Sequence, residues 1–288
     1  MKLRKATRTK AKIRLGLSAP AGGGKTYSAL LIAYGICNDW NKIAVIDTEN
    51  MSADLYSHLG SYDVLTLEPP YSPERYIEAI RTCEQAGIEV IVIDSITHEW
   101  DGKGGCLQIQ EQLGGRYQDW AKVTPRHQAF IDSILQSKCH IITTVRRKQD
   151  YEMTKDSNGK TKVEKVGLKE VTREGFEYEL TVNLELDTRH NVSVSKDRTG
   201  LFMGKPSFIP SIETGQMIAE WCDTGIDTDE AIKEAIKKLA NCDTIEDLKL
   251  FKETLPVFVT SSNDFKLEGM KRQKQISNPK ILADASAN

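Results

Sequence analysis

The sequence predicts an α/β fold in which a mainly parallel sheet is covered by helices on both faces. Continuous apolar runs, typical of strands buried on both sides, occupy residues 13–18, 42–47, 64–67, 88–94 and 139–145. Segments with helical spacing lie between several of these runs. Strands that alternate with helices along a chain form parallel sheets, because each crossover needs a long connection.

Each connecting element has a local reason. The helix predicted over residues 27–35 follows a glycine-rich turn, and the one over 73–86 has a proline near its start. Proline also introduces the helix predicted over residues 124–136. Glycine and polar residues at 101–116 predict a loop, and residues 178–186 and 191–195 read as two further strands.

Composition bounds the class of protein. The chain has 288 residues, 39 Lys and Arg, 41 Asp and Glu, and a formal charge of −2. Hydrophobic residues make up 39% and charged residues 28%, which excludes a fibrous or wholly disordered chain. Six scattered cysteines, without a CxxC pair, indicate reduced thiols. No apolar run could span a membrane and no secretory signal precedes the first strand, so we expect a cytoplasmic protein.

Three regions differ in charge and pattern. Residues 1–12 form a basic tail, and residues 13–222 hold the alternating strands and helices. From residue 223 the chain becomes acidic and helical, which predicts a small helical domain over 223–288.

The strongest motif lies between the first strand and the following helix. Residues 19–26 read APAGGGKT, a Walker A pattern with alanine in its first position. Glycines in such a turn let backbone N–H groups face phosphate oxygens, at a helix N-terminus that favours anions. Lys25 is the residue expected to reach the β- and γ-phosphates, and Thr26 is a candidate Mg²⁺ ligand. The predicted nucleotide contacts are Ala21, Gly22, Gly23, Gly24, Lys25, Thr26 and Tyr27.

Carboxylates at strand ends complete the predicted chemistry. Asp94 ends an apolar strand, where a Walker B aspartate would hold Mg²⁺. Ser95 follows it, where many ATPases have glutamate, so the catalytic base must come from elsewhere. Glu49, just after the second strand, is our candidate for orienting water and accepting its proton, and Glu99 is the competing candidate.

The residues VIDTE at 45–49 and VIDS at 92–95 resemble the core of RecA-type recombinases. The resemblance spans roughly residues 13–200 and implies a RecA-like P-loop ATPase that uses ATP and Mg²⁺. Within that group, the segments at 140–146, 173–178 and 195–200 resemble phage-encoded RecA-core proteins, including single-strand annealing proteins. That likeness would place the protein in the cytoplasm of a bacterial host.

The resemblance implies further site residues. RecA-like assemblies reach the γ-phosphate with cations from a neighbouring subunit, and Lys196 and Arg198 occupy the matching place. They predict a homo-oligomer, as a ring or filament, with shared ATP sites. RecA carries Asn-Gln at the end of its fifth strand, whereas this chain has Thr144-Val145. Thr144 can still bond water or phosphate, but Val145 cannot, so we expect altered coupling between nucleotide and DNA.

The resemblance also implies two DNA-binding loops, near residues 100–120 and 146–176. The second is rich in basic residues, which suit a sequence-independent backbone contact to single-stranded DNA. The candidates are Arg146, Arg147, Lys148, Lys160, Lys162, Lys165, Lys169 and Arg173. A solvated charged hairpin is the competing interpretation.

We therefore predict an Mg²⁺-dependent RecA-like ATPase that binds single-stranded DNA and promotes annealing or strand pairing in phage recombination or repair. A single-stranded DNA-binding protein is a candidate partner for the C-terminal domain. The alternatives are a RecA-fold motor or switch without annealing activity, such as a helicase-like ring, a P-loop small-molecule kinase, and a nucleotide-binding module without catalysis.

Overall fold

The computed structural model describes residues 5–155 and 161–277; within the strands at 151–155 and 161–166 only the backbone is described. The chain divides into two compact units. One comprises residues 12–222, and the other combines residues 223–288 with residues 1–11. The sequence-based division into a tail, a core and a C-terminal domain stays a prediction.

The core unit is built on a mainly parallel sheet with helices along its sides. Its first half contains, in chain order, β1 (Arg14–Ala19), α1 (Lys25–Cys37), β2 (Ile43–Asp47), β3 (Asp63–Thr66), α2 (Pro73–Gln85), β4 (Val90–Asp94), α3 (Thr97–Asp101), α4 (Cys106–Gln112) and α5 (Trp120–Gln136). Its second half contains β5 (His140–Lys155), β6 (Thr161–Glu170), α6 (Phe176–Glu179), β7 (Val182–Leu186), β8 (Val192–Asp197) and α7 (Ile212–Asp223). Short 3₁₀ turns occupy Trp40–Lys42, Ser52–Leu59 and Tyr117–Asp119.

The described strands form one sheet in the order β3-β2-β4-β5-β1-β7-β8, with β6 added to β5. The pairs among β1 to β5, and the pair β1–β7, are parallel, and β7–β8 is antiparallel. The C-terminal ends of β1, β2 and β4 therefore meet at one edge of the sheet. That edge is where open α/β sheets place their ligands.

Burial explains why the apolar runs became strands. All of β1, β2 and β4 is buried, and their side chains divide between two hydrophobic clusters, one on each face of the sheet. Helices α1 and α7 approach closely at Gly35 and Gly215, where an added Cβ would overlap the backbone of the other helix. The predicted α/β fold with a RecA-like P-loop core is confirmed.

Three predicted elements differ from the structure. The loop expected over 101–116 contains α4, whose first residue, Cys106, is fully buried. Helix α5 begins at Trp120, after a 3₁₀ turn, so Pro125 lies inside the helix and not at its start. The stretch at 178–186 is a short helix, α6, followed by β7. In each case tertiary packing overrides a composition signal.

The fifth strand is longer than its apolar run. Residues up to Arg146 pair in parallel with β1, and Arg147 begins an antiparallel hairpin with β6. The strand thus leads from the centre of the sheet into the basic segment. The sequence DSNG at residues 156–159 predicts a turn, and it lies outside the described residues.

The second unit is a group of small helices, α8 (Thr228–Leu239), α9 (Ile245–Thr254), α10 (Val257–Ser261) and α11 (Asn263–Ser277). Thr244 and Asp247 form a capping box at the start of α9. The unit has its own buried cluster, which includes Leu239, Leu248 and Phe265. Leu250, on α9, is 63% exposed and lies outside this cluster.

Candidate nucleotide-binding site

The glycine-rich turn joins β1 to α1 at the ligand-binding edge of the sheet. Gly22 and Gly24 have φ values of 75° and 79°, a left-handed conformation that glycine adopts without strain. Gly24 caps α1, and the Gly23 amide donates to the Pro20 carbonyl at 3.1 Å. The turn therefore has the backbone shape that the Walker A pattern requires.

Lys25 is the first residue of α1, and its side chain reaches back over this turn. Its Nζ is 3.5 Å from the Ala19 carbonyl oxygen and 3.4 Å from that of Pro20. Burial lowers the pKa of Lys25, and the negative charges of Asp94 and Glu49 partly oppose that effect. A cation that is partly buried beside carboxylates would gain a stronger partner from a phosphate group.

Asp94 ends β4 and is 1% exposed. One of its oxygens accepts from Thr26 Oγ1 and the other from Thr144 Oγ1, each at 2.5 Å. Burial raises the pKa of Asp94, and these two hydrogen bonds partly offset the increase. Thr144 therefore hydrogen-bonds to Asp94 and orients its carboxylate. Thr144 is fully buried and is not part of the cavity wall, so its hydroxyl does not face the cavity as a nucleotide contact. Thr26 and Asp94 offer adjacent oxygen donors, the type that Mg²⁺ prefers, so these residues fit the predicted ion.

Glu49 is held at the end of β2 by the residue two positions before it. The buried Asp47 carboxylate accepts from the Glu49 amide at 2.6 Å and from the Ala53 amide at 2.9 Å, which fixes the turn. The Glu49 carboxylate accepts from Ser95 Oγ at 3.0 Å and forms a salt bridge with Arg146 at 2.5 Å. Burial raises the pKa of Glu49, but the hydrogen bonds and charge of Arg146, with the Ser95 bond, lower it by more. Glu49 is therefore an ionised carboxylate.

These groups surround one cavity of about 820 Å³. Its wall contains the predicted residues Ala21, Gly22, Gly24, Lys25, Thr26, Tyr27, Glu49 and Asp94. Sequence reasoning missed six others, Ser28, Ser52, Tyr56, His190, Ile209 and Pro210. The Tyr27 and Tyr56 rings lie 5.8 Å apart, and His190 lies against Gly24. No local motif marks these residues, because distant segments bring them together.

Glu99 is enclosed elsewhere in the core. It is 1% exposed and accepts from Cys106 Sγ at 3.0 Å and from His127 Nδ1 at 3.1 Å. Burial and the charge of Glu99 raise the pKa of Cys106, so the group stays a thiol that donates to the carboxylate. The three residues are close enough to hold a metal ion, but they already satisfy one another by hydrogen bonds. Glu99 has no access to the cavity, so this arrangement favours Glu49 as the base.

Of the predicted interface cations, Lys196 lies on β8, the last strand in the described order, and Arg198 directly follows that strand. Both donate to the Tyr178 carbonyl oxygen, and Lys196 also donates to that of Glu177 at 3.1 Å. These two side chains thus cap the C-terminal end of α6, where positive charge is favourable. They do not line the cavity beside Lys25.

The predicted DNA-binding cations fall into different environments. Arg146, Arg147 and Lys148 line the nucleotide cavity. Arg146 pairs with Glu49, Arg147 pairs with Glu185 at 2.8 Å, and Lys148 pairs with Asp101 at 3.0 Å. Lys169 is exposed on β6. Lys160 lies outside the described residues, and the side chains of Lys162 and Lys165 are not described.

Arg173 lines a separate opening that we call the aromatic cleft. Its volume is about 590 Å³, and its wall contains Trp100, Tyr117, Gln118, Trp120, Ala121, Thr124, Pro125 and Arg173. The Trp100 and Trp120 rings are stacked at 5.5 Å, and Tyr117 is 92% exposed. Trp100, Tyr117 and Trp120 belong to the first of the two regions where DNA contact was predicted, and Arg173 belongs to the second.

Comparisons with known proteins identify relatives of this chain. The chain is similar to the DNA repair and recombination protein RadB of Methanococcoides burtonii, with 29% identity over 110 residues. That match covers 33% of this chain and 48% of RadB, so the chain spans less than half the length of that relative. In the described part of the chain, no helix combines the length and apolarity needed to cross a bilayer.

A family model described as AAA domain matches residues 11–208, which is more than half of the chain and includes every side chain placed at the cavity except Ile209 and Pro210. The chain therefore belongs to this AAA-domain family of P-loop ATPases, and its core is RecA-like.

Proposed function

We propose that this protein is an Mg²⁺-dependent ATP hydrolase that acts on single-stranded DNA. We infer hydrolase activity from one observation, which is that Lys25, Thr26, Asp94 and Glu49 line the same cavity. These are the four roles that phosphoryl transfer to water requires: a phosphate cation, two metal ligands and a base.

Each residue has a distinct part. The turn at 20–24 and Lys25 hold the β- and γ-phosphates of ATP. Thr26 and Asp94 hold Mg²⁺, which neutralises negative charge on the phosphates when bound. Glu49 orients a water molecule and takes its proton. The water oxygen bonds to the γ-phosphorus as the bond to the β-phosphate oxygen breaks, and ADP and inorganic phosphate leave.

The wall of the cavity also offers a place for the nucleoside. Tyr27 and Tyr56 present aromatic rings near the start of α1, and Ile209 is 60% exposed on the same wall. Flat apolar surfaces of this kind suit a purine base, because stacking needs area more than specific hydrogen bonds. We propose that the base lies against this wall.

Support for DNA as the second ligand comes from the RadB similarity and from the aromatic cleft. Stacked and exposed rings beside a guanidinium match the way proteins hold unpaired bases and their phosphates. Tyr117, Trp120 and Arg173 are the residues we assign to this contact. Annealing or strand pairing in phage recombination is the outcome we propose, with Lys196 and Arg198 completing the site of a neighbouring subunit.

The hydrolase is tested by phosphate release from Mg²⁺-ATP. Lys25→Ala should lower turnover by about 10²-fold or more, since it removes a preorganised cation from the transition state. Lys138→Ala, an exposed lysine outside the cavity, is the matched control and should keep wild-type turnover. Equal turnover in both variants, or turnover that survives removal of Mg²⁺ by EDTA, would contradict the assignment.

The DNA contact is tested by fluorescence anisotropy of a labelled single-stranded oligonucleotide with Mg²⁺-ATP, Mg²⁺-ADP or no nucleotide. We expect tighter binding with ATP, weakened by salt. Trp120→Ala should weaken binding by about 1–3 kcal/mol, the usual contribution of one stacked base. Arg173→Gln should flatten the salt dependence, whereas Arg126→Gln should not. ATP turnover with DNA binding but no annealing would indicate the motor alternative.

A further inference from the structure

Arg146 stands at the point where β5 changes partner. It is the last residue of β5 paired with β1, opposite Ala19, and Arg147 starts the hairpin with β6. Its amide donates to Thr97 Oγ1 at 3.0 Å, and its carbonyl accepts from the Val171 amide at 2.8 Å. The backbone is thus fixed on both sides, and the side chain is the part that can change partner.

That side chain holds Glu49 with two parallel contacts. Nε lies 2.8 Å from Glu49 Oε1, and Nη2 lies 2.5 Å from Oε2. The Arg146 side chain is 40% exposed and the Glu49 side chain 20% exposed. Both line the same cavity as Lys25, so a nucleotide phosphate that enters the cavity can reach both.

The contact restrains the base that hydrolysis needs. Both carboxylate oxygens of Glu49 accept from Arg146, and Oε1 also accepts from Ser95 Oγ at 3.0 Å. Few lone pairs remain for a water molecule. A carboxylate that is paired with a guanidinium is also a weaker proton acceptor. Without nucleotide, Glu49 therefore lies at the cavity with its carboxylate occupied by Arg146 and Ser95.

We propose that Arg146 is a ligand for the terminal phosphate of ATP and that it exchanges Glu49 for this phosphate when ATP binds. The proposal rests on the proposed ATP site and adds its regulation. A guanidinium matches a phosphate as well as a carboxylate, and the terminal phosphate carries the larger charge. The exchange frees Glu49 to bind water and adds a cation where charge develops during transfer.

The same exchange links the nucleotide site to the basic hairpin formed by β5 and β6. Arg146 is continuous with β5 beyond the sheet, and Arg147 and Lys148 begin that extension. Loss of the terminal phosphate removes the partner of Arg146, which then returns to Glu49.

The test is equilibrium binding of Mg²⁺-ADP and of a non-hydrolysable Mg²⁺-ATP analogue to the full chain. Arg146→Gln should weaken analogue binding by about 10-fold, because binding gains the difference between pairing Arg146 with the terminal phosphate and pairing it with Glu49. ADP binding should stay within about twofold. Arg126→Gln is the matched control, because Arg126 holds Glu74 with the same two-contact geometry, at 2.6 and 2.8 Å, outside the cavity. Its affinities for both nucleotides should equal those of the wild type.

A second measurement follows the base itself. The acidic limb of the kcat/KM profile reports the free enzyme. It should move to higher pH in Arg146→Gln, because Glu49 loses the cation that keeps it ionised. Arg146→Lys keeps the positive charge but loses the two-contact geometry of the guanidinium. It should show a smaller loss of analogue binding and a smaller shift of the acidic limb.

An unchanged ratio of analogue to ADP affinity in both Arg146 variants, or an equal loss for both nucleotides, would overturn the proposal. Failure of the proposed hydrolase has a different signature. A wild-type protein that binds the analogue more tightly than ADP, but releases no phosphate, would refute hydrolysis and leave the role of Arg146 measurable.

Discussion

Glu49 and Glu99 have the same side chain and lie near the ends of neighbouring strands, yet their surroundings differ. Glu49 follows β2, faces the cavity and meets a cation that other ligands can reach. Glu99 lies on α3 after β4, is 1% exposed, and is enclosed by Cys106 and His127. The contrast shows that access to a ligand, and not residue type, separates a candidate base from a structural carboxylate.

The largest expected difference between the two glutamates is in turnover. Glu49→Gln keeps the shape of the side chain but cannot accept a proton, so we expect turnover to fall by about 10²- to 10⁴-fold while ATP stays bound. Glu99→Gln should leave turnover within a few-fold of wild type. Phosphate release and nucleotide retention on a desalting column measure both. A larger loss of turnover in Glu99→Gln than in Glu49→Gln would reverse the assignment.

Stability should show the opposite order. Glu99→Ala leaves the donors of Cys106 and His127 buried without their acceptor, and it opens a cavity. We expect a loss of about 3–5 kcal/mol in the free energy of unfolding, as for other broken buried pairs. Urea denaturation measures it, with Glu99→Gln as the milder control. A change in Glu99→Ala no larger than that in Glu49→Ala would show that the enclosed cluster contributes little to stability.

A pH titration of stability separates Glu49 from a buried histidine, His140. Burial above all, with the charges of Lys12 and Arg14, lowers the pKa of His140 to about 3, from 6.5. The unfolded chain therefore binds a proton below pH 6.5 that the folded chain does not. Stability from this group is complete above pH 6.5 and falls by about 1.4 kcal/mol per pH unit down to about pH 3.

Glu49 acts in a lower pH range. Its pKa is below the ordinary value of 4.5, so its contribution is complete above pH 4.5 and is lost as the pH falls through the folded pKa. The slope between pH 6.5 and 4.5 should thus diminish in His140→Phe and persist in Glu49→Gln. Identical slopes in wild type and His140→Phe would mean that His140 is protonated in the folded protein.

The smallest effect should come from the exposed counterpart of the Glu49–Arg146 pair. The Glu74–Arg126 pair has two short contacts, and the hydrogen bond from Arg126 lowers the pKa of Glu74 to about 2. Both side chains are more than a third exposed, so solvent screens the interaction. Arg126→Gln should cost less than about 1 kcal/mol in thermal unfolding. A larger cost would show that two-contact geometry alone, without burial, determines the strength of such pairs here.

Much of the site could be predicted because its parts are local. The APAGGGKT turn needs only the strand before it and the helix after it, and Asp94 and Glu49 follow from apolar runs that end in a carboxylate. Parallel pairing then brings these separate strand ends to one edge. The helices at 106–112 and 212–223 were missed, since short or weakly periodic segments take their structure from what they pack against.

The sequence by itself determined the fold class, the phosphate turn and the acidic residues at the strand ends, because backbone preferences and burial act over a few residues. Only the tertiary structure decided which side chains meet. It placed Thr144 on Asp94, Arg146 on Glu49, His190 against Gly24 and Glu99 behind a wall of packed side chains. Those contacts join residues far apart in the chain, and their geometry depends on the order and register of the strands, which no local pattern encodes.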